Sequence, residues 1–227
     1  MSNKALLLAV CREIAPMLDR LVLVGGCATE LLITDTTVNP VRPTQDVDMI
    51  VEVLSLGDYY QLEGQLRSFG FSQTEDDQGV ICRWTKSALR LDLMPTDEKI
   101  LGFSNRWYPL AATTAQQILI DELALNLITA PLFIATKLEA FYQRGNADFL
   151  SSHDLEDLIS VIDGHENIVE EVNSCPKEAR TFLVDEFKKL IADSNFEDAL
   201  QAHLPPDSAS QARFPLLRNK LESITQL

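Results

Sequence analysis

The spacing of apolar residues near the start of the chain predicts a helix, a strand and a second helix. Residues 2–19 carry an apolar residue at every fourth position from Leu6 to Leu18, which indicates an amphipathic helix, with Ser2 as its N-cap. The apolar run Leu21–Val24 predicts a short buried strand. This strand leads into Gly25-Gly26 and then into a helical pattern over residues 27–33. We therefore expect a strand, a glycine turn and a helix start in immediate succession.

The remaining chain divides into a part rich in strands and a part that is helical. Before residue 130 the pattern predicts a strand over Val47–Val53 and a helix over Leu56–Phe69. A hairpin follows, with strands over Val80–Thr85 and Ala88–Met94 joined by a Lys86-Ser87 turn. A loop over Asp97–Arg106 then leads to two further strands, over Ile118–Ile120 and Leu123–Ile128. From Pro131 onward the period is helical almost to the end. The sequence thus predicts an α/β (α+β) fold, with one domain over residues 1–130 and a helical one over residues 131–227.

Two aspartates stand at the start of the strand predicted over Val47–Val53. Side chains on a strand alternate between its faces, so Asp46 and Asp48 point to the same side. Adjacent carboxylates repel each other unless a positive charge lies between them. Mg²⁺ and Mn²⁺ suit such oxygen ligands, and Mg²⁺ typically takes one or two carboxylates while it keeps water and phosphate as its other ligands. The pair predicts a divalent metal site, although Asp-x-Asp is also typical of a solvated strand end.

Two other stretches offer groups that would suit a metal and a phosphate. Gly25-Gly26 lies between a strand and a helix start, where backbone N–H groups and the helix dipole attract phosphate. Leu89–Met94 alternates, with three leucines on one face and Arg90, Asp92 and Met94 on the other. Asp92 is therefore a candidate third carboxylate beside Asp46 and Asp48.

The order of these motifs resembles that of the polymerase-β-like nucleotidyltransferase superfamily, in which paired small residues precede Asp-x-Asp on one strand and a lone Asp on a later strand. Within the superfamily, Arg42-x-Thr44-x-Asp46-Val47-Asp48 is similar to the abortive-infection and toxin-antitoxin nucleotidyltransferase toxins. The resemblance implies a nucleotidyltransferase-like mixed sheet with flanking helices, followed by a C-terminal helical bundle. Residues 1–130 would then be the catalytic domain, and residues 131–227 would contribute to the active-site cleft.

The resemblance also implies a reaction and the residues that carry it out. An NMP would pass from an NTP to a hydroxyl acceptor, with one or two Mg²⁺ (or Mn²⁺) ions held by Asp46, Asp48 and Asp92. Asp92 would also help to deprotonate the acceptor hydroxyl. This assigns the three aspartates both a catalytic and a metal-binding role.

The phosphate side of the implied site comes from the glycine turn and the connector after it. Gly25 and Gly26 would bind the β and γ phosphates through backbone N–H groups. Many members of the superfamily have Gly-Ser at this point, so a hydroxyl contact to phosphate is lost here. Arg42 and Thr44 would brace the connector or contact phosphate.

A second group of charged residues follows in the helical part. Lys137 lies on the first helix, Arg144 comes seven residues later on the same face, and His153-Asp154-Leu155-Glu156-Asp157-Leu158 opens the next helix. The toxin subgroup has a Lys- and Arg-bearing helix followed by a basic residue and Asp-x-x-Asp-Leu, and this stretch is similar, with His153 where lysine is usual. The resemblance implies that Lys137 acts in catalysis by contacting nucleotide phosphates, and that Asp154 or Asp157 orients the lysine or the acceptor. A solvated helix face with acidic residues near a helix N-terminus is the alternative interpretation.

The acidic composition bears on the acceptor. The chain has 34 acidic and 19 basic residues and a net charge of −15, which repels nucleic acid unless a basic patch or a bound cation offsets it locally. The resemblance favours an RNA end such as that of tRNA, or a protein hydroxyl, and a toxin paired with an antitoxin. The charge favours a small cationic acceptor such as an aminoglycoside, or a basic protein partner. A non-catalytic, nucleotide-binding scaffold that acts through a protein partner is the third hypothesis.

The cysteines and the apolar runs indicate the compartment. Cys11, Cys27, Cys82 and Cys175 are scattered and form no Cys-x-x-Cys pair, which is typical of buried thiols in a reducing cytoplasm. The uncharged run over residues 123–136 contains Pro131 and is too short to span a bilayer. We expect a soluble, cytoplasmic protein with no membrane partner.

Overall fold

The computed structural model describes residues 1–35, 37–38, 41–73, 81–143 and 148–227 of the chain. These residues form two compact units. The first consists of Met1–Glu30 and Arg42–Thr129, and the second of Leu31–Val41 and Ala130–Leu227. Arg144, which the sequence pattern places on the same helix face as Lys137, lies outside the described residues.

The first unit contains every strand of the described chain. Its elements are α1 (Asn3–Glu13), a 3₁₀ helix (Ala15–Arg20), β1 (Leu21–Val24), the start of α2 (Gly25–Leu32), β2 (Val47–Val51), α3 (Leu56–Ser68), β3 (Ser72–Gln73), β4 (Arg83–Lys86), β5 (Leu89–Pro95), α4 (Glu98–Leu101), α5 (Tyr108–Thr114), β6 (Gln116–Ile120) and β7 (Leu123–Leu127). The predicted succession of a strand, a glycine turn and a helix is confirmed by β1 and α2.

The strands form one seven-stranded mixed sheet in the order β3-β4-β5-β2-β1-β7-β6. β2 pairs with β1 in antiparallel and with β5 in parallel orientation, while β1 pairs with β7 in parallel. The remaining pairs, β3 with β4, β4 with β5 and β6 with β7, are antiparallel. All four residues of β1 are buried, as expected for a strand at the middle of a sheet. In this order β2 lies between β5 and β1.

The single helix predicted over residues 2–19 is wrong, because the helix ends at Glu13 and a 3₁₀ helix follows from Ala15. Pro16 explains the break, since proline has no N–H to donate and its ring would clash with the carbonyl four residues earlier. The predicted N-cap is confirmed: the hydroxyl of Ser2 accepts a hydrogen bond from the backbone N–H of Ala5 at 3.2 Å.

The hairpin of β4 and β5 exists, but its turn lies one residue later than predicted. Lys86 pairs with Leu89, so the turn is Ser87-Ala88, with Ser87 in the left-handed region at φ +54°. The predicted Lys86-Ser87 turn is therefore wrong, and the pairing along the hairpin moves with it. Val80 of the predicted first strand lies outside the described residues, and β4 begins only at Arg83.

Several short elements were not predicted, among them α5 (Tyr108–Thr114), β3 and α4. β3 occupies Ser72–Gln73 at the edge of the sheet. α4 interrupts the stretch 97–106, for which an irregular loop was predicted. This helix forms because Asp97 caps its N-terminus by accepting from the N–H of Lys99 at 2.9 Å, and Gly102 ends it at φ +80°.

The second unit is helical, as predicted for the part after Pro131. Its helices are α6 (Ala130–Gln143), α7 (His153–Gly164), α8 (Ile168–Ser174), α9 (Lys177–Ile191), α10 (Ser194–His203), α11 (Ser208–Gln211) and α12 (Phe214–Ile224). α6 packs on α7, α8 and α9, and α12 packs on α7, α8 and α9. The segment Leu31–Val41 joins this unit through the N–H groups of Thr34 and Asp35, which donate to the carbonyl of Gly164 at 3.0 and 2.9 Å.

The uncharged run over residues 123–136 does not form one element. Its first part is β7 and its last part belongs to α6. Across the described residues, none of the helices combines the length and the hydrophobicity needed to cross a bilayer.

Candidate active site

The sheet register brings two of the predicted carboxylates side by side. Asp48 on β2 is the pairing partner of Asp92 on β5, and strands in a sheet lie about 4.8 Å apart. Asp46 stands just before β2 and reaches the same cluster through Arg83, described next. Asp92 is buried, whereas Asp46 and Asp48 are half-buried. The structure thus places all three predicted aspartates in one unit, at the start of β2 and the middle of β5.

Arg83 on β4 bridges two of these aspartates. It is the pairing partner of Asp92, and its Nε and Nη2 donate to Oδ1 and Oδ2 of Asp92 at 2.8 and 2.7 Å. The same Nη2 donates to Oδ2 of Asp46 at 3.2 Å. A bidentate arginine–carboxylate pair is among the strongest charged hydrogen-bond arrangements in proteins. Sequence reasoning missed Arg83, because the predicted turn would have set Arg83 opposite Arg90.

Gly25 allows the carboxylate of Asp48 to lie against the start of α2. Val24 pairs with Asp48 across β1 and β2, so the chain turns into α2 directly beside that aspartate. Gly25 has φ +65°, and a Cβ at this position would lie 1.9 Å from Oδ2 of Asp48. A helix N-terminus favours a nearby negative charge through its dipole. The glycine is therefore needed both for its conformation and for this close approach.

The connector before β2 is fixed by hydrogen bonds that orient Asp46. The hydroxyl of Thr44 donates to Oδ1 of Asp46 at 2.8 Å, and a Cβ on Gly26 would lie 3.2 Å from Cβ of Thr44. Asn3, buried on α1, donates from Nδ2 to the carbonyl of Arg42 at 3.0 Å and accepts from the N–H of Thr44 at 2.9 Å. Asn3 is a second residue that sequence reasoning missed, since a polar residue in the first turn of a helix is ordinarily solvated.

The negative charge of the aspartates contributes to the raised pKa values of two buried cysteines. Burial raises the pKa of the Cys27 thiol well above its usual range, and the charges of Asp48 and Asp46 raise it further. The pKa of Cys82 is raised to about 12, first by burial and then by Asp92 and Asp48. The Cys27 thiol donates to the backbone carbonyl of Asp46 at 3.5 Å. Both thiols are therefore protonated at neutral pH and serve as packing groups, since thiolate is the nucleophilic and metal-binding form.

The donors at the start of β2 fit a hard divalent cation. Asp46 and Asp48 provide carboxylate oxygens, and one or two carboxylates are what Mg²⁺ typically takes from a protein. Within the described ranges, no group of three or more His, Cys, Asp or Glu side chains is arranged to hold a metal ion. A cation of the chain itself lies in the same cluster, since the guanidinium of Arg83 bonds Asp46 and both oxygens of Asp92.

The second unit brings together Lys137, Asp154 and Asp157. Nζ of Lys137 on α6 donates to Oδ1 of Asp154 at 3.0 Å and to Oδ2 of Asp157 at 2.7 Å, both on α7. Their side chains are 8%, 9% and 2% exposed, so this is a buried ion cluster. Burial alone would lower the pKa of Lys137, but Asp157 and Asp154 raise it above its usual value. The lysine is therefore held in its charged form.

The start of α7 positions the two aspartates of this cluster. Ser152 caps the helix by accepting from the N–H of Leu155 at 3.3 Å, which sets Asp154 in the first turn and Asp157 one turn later. His153, which stands where the toxin subgroup usually has lysine, is an exposed side chain whose Nδ1 lies 3.2 Å from Oε2 of Glu156. That Lys137 contacts nucleotide phosphates stays a prediction.

The comparisons with known proteins reach the level of the fold. No family model matches the chain, and no curated protein matches it. Among solved structures, the chain is similar to the crystal structure of an antigenic nucleotidyltransferase-like protein from Paracoccidioides brasiliensis, with a TM-score of 0.50 and 20% identity over 88% of this chain and 93% of that chain. The predicted fold class is confirmed: the chain has a mixed α/β, nucleotidyltransferase-like fold with a helical C-terminal part. Membership of the toxin subgroup stays a prediction.

Proposed function

We propose that this protein transfers an NMP from an NTP to a hydroxyl acceptor with the help of a divalent metal ion. The observation that carries the proposal is the pairing of Asp48 with Asp92 across β2 and β5, with Asp46 beside them and Gly25 against Asp48. Asp48 thus lies against a helix start and Asp46 and Asp92 belong to the same carboxylate cluster, which suits a metal and a triphosphate together. The nucleotidyltransferase-like fold supports the same reaction class.

Different residues of the chain would bind the metal ion, bind the phosphates and accept the proton. Asp46 and Asp48 would hold Mg²⁺ or Mn²⁺, and Thr44 orients Asp46 for that role. When bound, such an ion supplies positive charge that stabilises the developing charge on the pyrophosphate leaving group. Asp92 would take up the proton of the acceptor hydroxyl as that oxygen attacks the α-phosphorus. The attack forms the new P–O bond as the bond to pyrophosphate breaks.

Nucleotide phosphates would be bound by the turn into α2 and its connector. Gly25 and Gly26 would offer backbone N–H groups to the phosphate oxygens at this turn. Arg42 would add positive charge near the same phosphates, while its carbonyl is fixed by Asn3.

Lys137, Asp154 and Asp157 are proposed as the nucleotide-binding residues of the helical part. Lys137 already donates to both aspartates. A phosphate oxygen that approached Nζ would have to share the ammonium donors with these carboxylates or replace one of them. Asp154 and Asp157 would therefore set how strongly Lys137 binds phosphate.

Two observations favour different classes of acceptor. The resemblance to toxins supports an RNA end such as that of tRNA, or a protein hydroxyl, with the protein acting in the cytoplasm under the control of an antitoxin. The net charge of −15 supports a small cationic acceptor such as an aminoglycoside. Retention on anion exchange with no retention on immobilised RNA would favour the small acceptor.

The test is pyrophosphate release with each NTP, Mg²⁺ or Mn²⁺, and pools of RNA, protein and small cationic acceptors. Asp46→Asn and Asp48→Asn should abolish release, because each removes a charged ligand and keeps the side-chain size. Asp58→Asn is the matched control, since Asp58 is a carboxylate of the same unit that accepts a hydrogen bond from the Ser55 hydroxyl at the start of α3. Metal-dependent release that survives in Asp48→Asn would contradict the metal assignment.

The scaffold hypothesis has one specific observation in its favour, the ion pairs of Arg83 with Asp46 and Asp92. A chain that had given up catalysis could keep its carboxylates balanced in this way. That hypothesis predicts nucleotide binding without metal-dependent pyrophosphate release for any acceptor.

A further inference from the structure

The guanidinium of Arg83 occupies the position in the carboxylate cluster where positive charge is needed. Two of its nitrogens bond both oxygens of Asp92, and one of them also bonds Asp46. The side chains of Arg83 and Asp92 are 16% and 9% exposed, so water screens this contact only in part. Asp92 therefore has a resident cation in the protein without nucleotide.

The charges of the cluster leave room for one divalent ion. Asp46, Asp48 and Asp92 carry three negative charges when ionised, and Arg83 removes one of them. The two negative charges that remain would be balanced by a single divalent ion at Asp46 and Asp48. A second ion on Asp92 would have to displace a bidentate hydrogen-bonded pair, and two divalent ions beside Arg83 would reverse the charge of the cluster.

We infer that Arg83 is an internal counter-cation that limits the carboxylate cluster to one divalent ion in the nucleotide-free protein and competes with a second ion for Asp92. The inference rests on the proposed function, because it assumes that Asp46 and Asp48 bind metal. It adds a role that the metal assignment lacks: release of Arg83 from Asp92 accompanies any further cation binding and frees the base for the acceptor hydroxyl.

Arg90 offers a control for simple charge effects. It lies on β5, two residues before Asp92, and its Nη1 donates to Oε1 of Gln45 at 3.2 Å. Arg90→Gln removes the same charge as Arg83→Gln from the same part of the sheet, at a residue whose guanidinium donates to a neutral amide. Arg83→Lys keeps the charge but cannot form the bidentate pair.

The experiment is titration of the nucleotide-free protein with Mn²⁺, with free Mn²⁺ measured by electron paramagnetic resonance. We expect one Mn²⁺ per wild-type chain. Arg83→Gln should bind Mn²⁺ at least about tenfold more tightly and take up a second ion, because a close like charge is gone. Arg83→Lys should lie between the two, and Arg90→Gln should stay within about threefold of wild type because its charge is more distant and better screened.

Thermal unfolding provides a readout that does not depend on activity. Arg83→Gln should be less stable than wild type without metal, and Mn²⁺ should raise its Tm by more than it raises that of wild type, because metal then balances the carboxylates. If Arg83→Gln does not fold without metal, the same comparison is made with Arg83→Lys, which keeps a cation beside Asp92.

The outcomes separate this inference from the proposed function. Two equal Mn²⁺ sites in wild type, or equal Mn²⁺ binding in Arg83→Gln and Arg90→Gln, would overturn the role of Arg83. If the role of Arg83 is overturned in this way but Asp48→Asn no longer binds Mn²⁺, the proposed metal site at Asp46 and Asp48 still stands. If Asp48→Asn binds Mn²⁺ as wild type does, both the metal site and the inference are refuted.

Discussion

Replacement of Gly25 by alanine tests how the glycine turn supports Asp48. Gly25 has φ +65°, where an L-residue pays about 1–2 kcal/mol of steric strain. The new Cβ would also lie 1.9 Å from Oδ2, 2.5 Å from Cγ and 2.6 Å from Cβ of Asp48. Relief of such overpacking typically costs about 1–3 kcal/mol. We therefore expect Gly25→Ala to lower the free energy of unfolding by about 2–5 kcal/mol and to move Asp48 away from the metal position.

Alanine substitutions at two other glycines serve as controls for this prediction, with the free energy of unfolding measured in urea. Gly26 has no positive φ, and its Cβ would lie 3.2 Å from Cβ of Thr44, so Gly26→Ala should cost less than Gly25→Ala. Gly64 lies within α3 with nothing within 4 Å of a new Cβ, so Gly64→Ala should stabilise the protein by about 0.5–1 kcal/mol.

A double-mutant cycle isolates the contact with Asp48. In an Asp48→Gly background the clash is removed, so the cost of Gly25→Ala should fall to the strain of about 1–2 kcal/mol. An equal cost in both backgrounds would refute the reasoning, because the glycine would then be required only for its backbone conformation.

Three further predictions concern the rest of the chain. Lys137→Met leaves Asp154 and Asp157 buried without their shared cation, so the free energy of unfolding in urea should fall by about 3–5 kcal/mol; a change below about 1 kcal/mol, the size of a surface ion pair, would contradict the buried cluster. Hydrogen bonds from Thr37, and then Arg213, lower the pKa of Asp35 to about 2, so its contribution to stability is present above the ordinary pKa of 3.8 and is lost as pH falls through about 2. Unfolding of Asp35→Asn should differ from wild type most above pH 4 and least near pH 2, and a constant difference would contradict this linkage. A thiol reagent should label half-buried Cys175 before the other three cysteines, which are buried, and simultaneous labelling of all four in the folded protein would contradict the structure.

The local elements of the site were predictable because their signals are short in range. Asp46 and Asp48 precede a run of apolar residues, and Gly25-Gly26 follows another, so both motifs mark strand ends in the sequence. The structure places Asp46 just before β2, Asp48 on β2 and the two glycines at the start of α2. Lys137, Asp154 and Asp157 were named from the resemblance to the toxin subgroup, and they meet in the second unit.

Arg83 was not predictable because its role depends on strand register. A turn at Lys86-Ser87 pairs Arg83 with Arg90, whereas the observed Ser87-Ala88 turn pairs it with Asp92. Ser87 adopts φ +54° although it is not glycine, so composition gave no signal for the turn position. Moving the turn by one residue thus changes the partner of Arg83 from a like charge to an opposite one.

The order of the sheet was beyond sequence patterning for a related reason. β1 lies between β2 and β7, which come from distant parts of the chain, and β2 pairs in parallel with β5. Apolar periodicity reports which face of a strand is buried but not which strand lies beside it. The neighbourhood of Asp48 and Asp92 therefore emerged only with the three-dimensional fold.

The most direct test of nucleotidyl transfer is incorporation of label from each α-labelled NTP, with Mg²⁺ or Mn²⁺, into RNA, protein and small cationic acceptors. The wild-type protein and Asp58→Asn should transfer label to one acceptor class, and Asp48→Asn should transfer none. Equal incorporation by Asp48→Asn, or no labelled acceptor with any of the nucleotides, would contradict the account.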